Sequence, residues 1–167
     1  LEPTALARLA VRLERSGRHD EAREALAAAR QAGAPVDLAA VVVDKDPAAA
    51  TRLLATAERP GSWVDDVFRL AREEPRVAAA LLESIPTWLP AASPIERADL
   101  LYFRGDLDKE QGPRWFAQAA ASLWLGLSKD PAQDRGHWVG LAHLYERAED
   151  VDSALLVLRK AIDAFPA

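Results

Sequence analysis

Residues 36 to 54 read VDLAAVVVDKDPAAATRLL, and residues 64 to 82 read VDDVFRLAREEPRVAAALL, the same pattern shifted by 28 positions. Val36, Asp37, Pro47, Ala50, Leu53 and Leu54 fall on Val64, Asp65, Pro75, Ala78, Leu81 and Leu82, while Asp46 meets Glu74 and Val42 meets Leu70. Each copy holds an apolar run, an acidic-Pro step and a second apolar run. Proline suits the first turn of a helix, where its missing N–H is not needed, and the preceding Asp can cap that turn. Asp46-Pro47 therefore opens one helix, and Glu74-Pro75 opens another with a weaker cap. Two helical hairpins of similar design stand side by side in the chain.

Outward from this core, the second run reduces to a triplet: a small residue, a leucine four on, and a small or apolar residue three further, all on one helix face. The triplet reads Ala22, Leu26, Ala29; Ala50, Leu54, Ala57; Ala78, Leu82, Ile85; Ala119, Leu123, Gly126; and Ala154, Leu158, Ala161, separated by 28, 28, 41 and 35 residues. Small residues let neighbouring helices approach, and the leucine fills the space between pairs. Five helix pairs are predicted: 4–16 with 20–32, 36–45 with 47–58, 62–73 with 75–85, 95–106 with 114–128, and 136–148 with 151–165. Ser93-Pro94-Ile95-Glu96 supplies a capping Ser, a first-turn Pro and a reciprocal Glu for one start. Pro86, Pro90 and Pro94 mark a bend or seam over 86–94, between three short units in 1–85 and two longer ones in 95–167. The default is a single helical-repeat domain over 1–167.

Composition agrees. The 167 residues contain 35 Ala and 23 Leu against 18 Val, Ile and Thr together, which suits helices far better than sheets. A net charge of -5 argues against nucleic acid, whose phosphates need an excess of Lys and Arg on one face. The absence of Cys removes disulfides, thiolate metal sites and cysteine nucleophiles, and it leaves the compartment open. No run approaches the roughly 18 apolar residues of a membrane span. Leu1, with no initiator Met or leader, suggests a piece of a longer protein. Richness in Ala and Arg with only four Lys hints at a GC-rich bacterial source.

Trp138, Leu141, Ala142, Tyr145, Ala154, Leu158, Ala161 and Pro166 occupy the eight signature positions of a tetratricopeptide repeat, and the last unit resembles that family. The first unit is similar at Leu6, Leu9, Ala10, Leu13, Ala22, Leu26 and Ala29, with its proline, Pro35, one residue late. Units two and three are shorter than the family period of about 34 residues, and unit four carries an enlarged turn over 105–112. The resemblance implies an all-α array of helix pairs stacked as a right-handed superhelix. It also implies a non-catalytic scaffold without cofactor, binding a protein or peptide on the surface lined by the first helix of each pair. Carried onto this chain, the family's groove positions are Val139, His143, Glu146 and Arg147 in the last unit, and Ala7, Val11, Glu14 and Arg15 in the first. Members that clamp a terminal carboxylate carry Lys and Asn at the first two positions, so that activity is not expected here. Ordinary solvated helix residues are the competing reading of all eight.

Chemistry elsewhere is sparse. His137 and His143 are six apart, about 240 degrees around a helix, and are expected not to face one ligand. His143 and Glu146 share a face but lack a third ligand, and His19 falls at a turn beside Asp20, which reads as a helix cap. Asp106, Asp108 and Glu110 fail as a calcium loop, because Gln111 and Ala117 replace its required Gly and Glu. No nucleophile, base and orienting group converge, so an enzyme is the remote alternative. Trp63, Trp115, Trp124 and Trp138 are expected in the core, whereas Trp88 in the seam is the candidate for a partly exposed contact. Arg8, Arg12 and Arg15 form a helical stripe that could meet an acidic partner, or be neutralised by nearby Glu14, Glu21 and Glu24. In the last helix Leu155, Leu158, Ile162 and Phe165 are expected inward, leaving Leu156 and Val157 as surplus apolar surface for a homo-oligomer or the chain's own remainder. A regulatory or assembly domain is thus the second functional reading.

Overall fold

The computed structural model describes residues 2–129 and 135–165, and all regular structure among them is helical. The helices are α1 (Pro3–Arg15), α2 (His19–Gln31), α3 (Asp37–Ala39), which runs on as a π-helical turn (Ala40–Asp44), and α4 (Pro47–Thr56). They continue with α5 (Val64–Ala71), α6 (Pro75–Trp88) and a 3₁₀ turn (Leu89–Ala91), then α7 (Pro94–Leu107), α8 (Gly112–Lys129), α9 (Arg135–Arg147) and α10 (Val151–Ala164). These are the ten segments expected from the repeat, with no end displaced by more than three residues. Pro86 does not stop α6, because it falls in the last turn, where only one helical hydrogen bond is forfeited. No helix among the described residues is long and apolar enough to cross a membrane. Pro166 lies outside the described residues.

The chain divides into two compact units, Leu1–Ser84 and Ile85–Ala167. In the first, a three-residue turn reverses α1 into α2. Ala7, Ala10 and Leu13 meet Ala22, Ala25, Leu26 and Ala29 in a core completed by Ala39 and Val43. The alanines bring the two backbones close, and Leu26, 1% exposed, fills what remains. The π-helical turn contacts α1, α2, α4 and α5. A segment covered on every side must be apolar all round, which accounts for three consecutive buried valines at 41–43. Its end is closed by the Asp46 N–H donating to the Ala40 carbonyl at 3.2 Å and by Lys45 donating to the Val42 carbonyl. The Asp46 side chain then accepts from the N–H groups of Ala48 and Ala49, the expected cap of α4.

In the second unit α7 packs on α8, α8 on α9, and α9 on α10. The capping box at Ser93 is complete in both directions. The turn expected over 105–112 is shorter, because Gly105 lies inside α7 and Gly112 begins α8, both buried. Asp108 holds it by accepting from the Gln111 N–H and from Trp115 Nε1, the latter at 3.1 Å, so the acidic stretch is a structural turn. The core gathers Leu101, Phe116, Leu123, Leu127, Trp138, Leu141 and Leu144 around Ala119 and Ala120.

Both α1 and α9 end in a left-handed residue, Gly17 at φ 80 in one and Glu149 at φ 65 in the other. The next N–H reaches back five residues in each, from Arg18 to Leu13 and from Asp150 to Tyr145. A side chain is strained at this φ, and that of Glu149 makes no hydrogen bond or ion pair among the described residues to offset it. Glu149→Gly is therefore expected to raise stability by about 0.5–1 kcal/mol in denaturant titration.

Candidate functional site

Along α1, exposed Thr4, Arg8, Arg12 and Arg15 share a face with half-buried Val11 at helical spacing. It borders a groove of about 340 Å³ against Pro35, Leu38 and Ala39, floored by Ala7 and Val11. Three of the four positions carried over to the first unit, Ala7, Val11 and Arg15, thus line one cavity; the fourth, Glu14, instead meets His19 Nδ1 at 3.0 Å. Arg15 donates to Asp66 and to the Ser62 carbonyl, each at 3.3 Å.

The carboxylates expected to neutralise the arginine stripe are otherwise placed. Glu14 is turned to His19, and Glu21 pairs with Arg18 within the first turn of α2, which holds the Arg18 guanidinium above its usual range. Glu24 makes no ion pair with the stripe among the described residues. Asp20 pairs with Arg23 at 3.3 Å rather than capping α2, whose first turn receives no side-chain cap. Asp37 and Asp44 are engaged by Arg52 and Arg30. Arg8 and Arg12 consequently make no ion pair among the described residues and present two positive charges beside an apolar floor.

A second groove, again about 340 Å³, lies between α7 and α9 over Leu123 of α8. Its walls are Asp99 and Tyr102 on one side and Gly136, His137, Gly140 and His143 on the other. The two histidines border one groove, although their spacing does not aim both at a single ligand. Going 240 degrees one way around α9 is 120 degrees the other way, and the glycine strip between them leaves that arc open. A Cβ added at Gly140 would meet nothing within 4 Å. His137 Nδ1 is shielded from solvent without a hydrogen-bond partner among the described residues. No group of three metal-ligating side chains forms among them.

The last pair corrects several expectations. Val139, His143 and Glu146 border a third groove, of about 440 Å³, between α9 and α10, joined by Val151, Leu155 and Leu158. Arg147 is absent from it, bound to Asp106 at 3.1 Å and stacked over the Phe116 ring at 4.3 Å, as a strut from α9 to α7 and α8. Trp88 is 2% exposed and offers no contact surface. Trp124, expected in the core, is at the surface, edge-on to Trp138 and beneath Lys160. In α10 the inward residues are Ala154, Val157 and Ala161, whereas Leu155, Leu158 and Ile162 are exposed. Two alanines one turn either side of Val157 let α10 settle close on α9, which rotates the leucines outward. Val157, 3% exposed, is thereby removed from the self-association surface; Leu156 remains exposed. At the start of α10, hydrogen bonding from the Ser153 side chain, joined by the Ser153 N–H at 3.1 Å, holds the Asp150 carboxyl below its usual range.

Comparison with family models, curated proteins and solved structures gives no match to this chain.

Proposed function

We propose that this chain is a non-catalytic protein-interaction scaffold of the tetratricopeptide-like kind, and that its α1 groove takes an acidic segment of a partner protein. The supporting observation is that Arg8 and Arg12, which make no ion pair among the described residues, stand at the rim of a groove floored by Ala7 and Val11. Charge of this kind steers a partner and fixes its register, while Val11 and Leu38, the latter 37% exposed, give apolar side chains of the segment a place to bury. A phosphate-rich polymer is disfavoured as the partner by the overall net charge of -5.

The test is fluorescence anisotropy with a labelled peptide of repeated Glu-Glu-Leu, on the native protein and on Arg8→Glu/Arg12→Glu. Both arginines are solvent-exposed, so helicity is expected to be unchanged. The expected result is affinity that falls with added salt and drops by about 10-fold or more in the variant. Equal binding by both proteins, or no binding by the native one, contradicts the proposal. A second reading, assembly through self-association, is favoured by the exposed aliphatic strip of α10.

A further inference from the structure

One exposed face of α10 carries Val151, Leu155, Leu158 and Ile162, which are 59%, 51%, 40% and 65% exposed. Their spacing is four, three and four, the seam of a helix that packs on another by knobs into holes. The same helix already buries Ala154, Val157 and Ala161 against its own unit, so its apolar arc is wider than one neighbour can cover.

The spacing is also palindromic. A helix laid antiparallel on this seam, with its midpoint between residues 156 and 157, sets Val151 against Ile162 of the other helix and Leu155 against Leu158, with no layer left empty. Charge follows the same symmetry. Asp152 and Arg159 lie along one edge of the seam and have no ion pair among the described residues. Antiparallel pairing of two identical helices sets Asp152 of each beside Arg159 of the other, giving two equivalent pairs. Parallel pairing sets this edge against the opposite one, where Ala154 and Ala161 offer no partner.

We propose that two copies of this chain associate through α10, antiparallel, about a twofold axis close to residues 156 and 157. This deepens the self-association reading and is independent of the α1 groove. The interface is isologous, with each seam serving as both surfaces. Val139, 50% exposed on α9, extends the apolar floor on which the incoming helix rests. Leu156 lies more than 90 degrees around α10 from the seam and contributes little. Four aliphatic residues per copy make a small interface, below about 1,200 Å² in total, so the dissociation constant is expected between about 10 µM and 1 mM.

Analytical ultracentrifugation of the whole chain across that range tests the proposal. The expected result is a reversible monomer-dimer equilibrium for the native protein and a monomer for Leu155→Glu/Ile162→Glu, with equal helicity by circular dichroism. Asp152→Arg alone and Arg159→Asp alone set like charges across the axis and weaken the dimer by about 3-fold or more, and the two together restore it. Arg8→Glu/Arg12→Glu leaves it unchanged, which separates failure here from failure of the acidic-segment proposal. A native protein monomeric throughout, a stoichiometry above two, association that survives Leu155→Glu/Ile162→Glu, or a charge exchange that fails to restore it overturns the proposal.

Discussion

Leu141→Ala is expected to destabilise the protein by about 2–5 kcal/mol in denaturant titration. Leu141 is 0% exposed near the middle of α9 and belongs to the core that also holds Leu101, Phe116 and Leu127. Removing its three outer carbons leaves a cavity that neighbours on rigid helices fill only in part, so the lost transfer energy and the lost packing add. Leu155→Ala, on the next helix but 51% exposed, is the matching control and is expected to change stability by less than about 1 kcal/mol. Similar losses for the two would place Leu141 outside the core.

Gly105→Val is expected to cost about 1–3 kcal/mol, although replacing a helical glycine usually helps. A Cβ at this position would stand 2.9 Å from Phe116 Cε1 and 3.1 Å from Cδ1. Phe116 has little room to yield. It is 3% exposed, packs against the Tyr102 ring at 5.8 Å between centroids, and lies beneath the Arg147 guanidinium. Gly112 repeats the constraint from the other helix, where an added Cβ would lie 3.0 Å from the Gly105 carbonyl oxygen. The pair sets how closely α7 and α8 cross. Thermal unfolding of Gly105→Val beside Gly140→Val separates packing from propensity, because Gly140 faces open space. A loss only at Gly105 is expected, and equal behaviour of the two contradicts the close-approach account.

The helices were legible because their signals are local. Acidic-Pro steps, the Ser93 capping box and the small-residue triplets each depend on neighbours within a few positions, and the second helix of every pair and the start of α7 follow from them. The faces of those helices were less legible. The last helix is apolar over much of its circumference, and its sequence satisfies two rotations, one burying Leu155 and Leu158, the other Ala154, Val157 and Ala161. Close approach to α9 selects the second. Arg147 illustrates a different limit. Its offset from Trp138 places it among groove residues, but its partner Asp106 is 41 positions away, which no periodicity reveals. Arg8 and Arg12 needed the structure for the opposite reason: their neighbouring carboxylates suggested neutralisation until Glu14 and Glu21 were seen paired elsewhere. Gly136 and Gly140 could have signalled the α7/α9 groove, since two glycines one turn apart leave a helix face bare.

The central claim is that the α1 groove recognises an acidic protein segment. Two-dimensional ¹H–¹⁵N NMR of the labelled chain, titrated with the Glu-Glu-Leu peptide, tests it residue by residue. Progressive shifts concentrated at Ala7, Arg8, Val11, Arg12, Leu38 and Ala39, and lost in Arg8→Glu/Arg12→Glu, are the predicted result. An unperturbed α1, or shifts confined to the groove between α9 and α10, would contradict it.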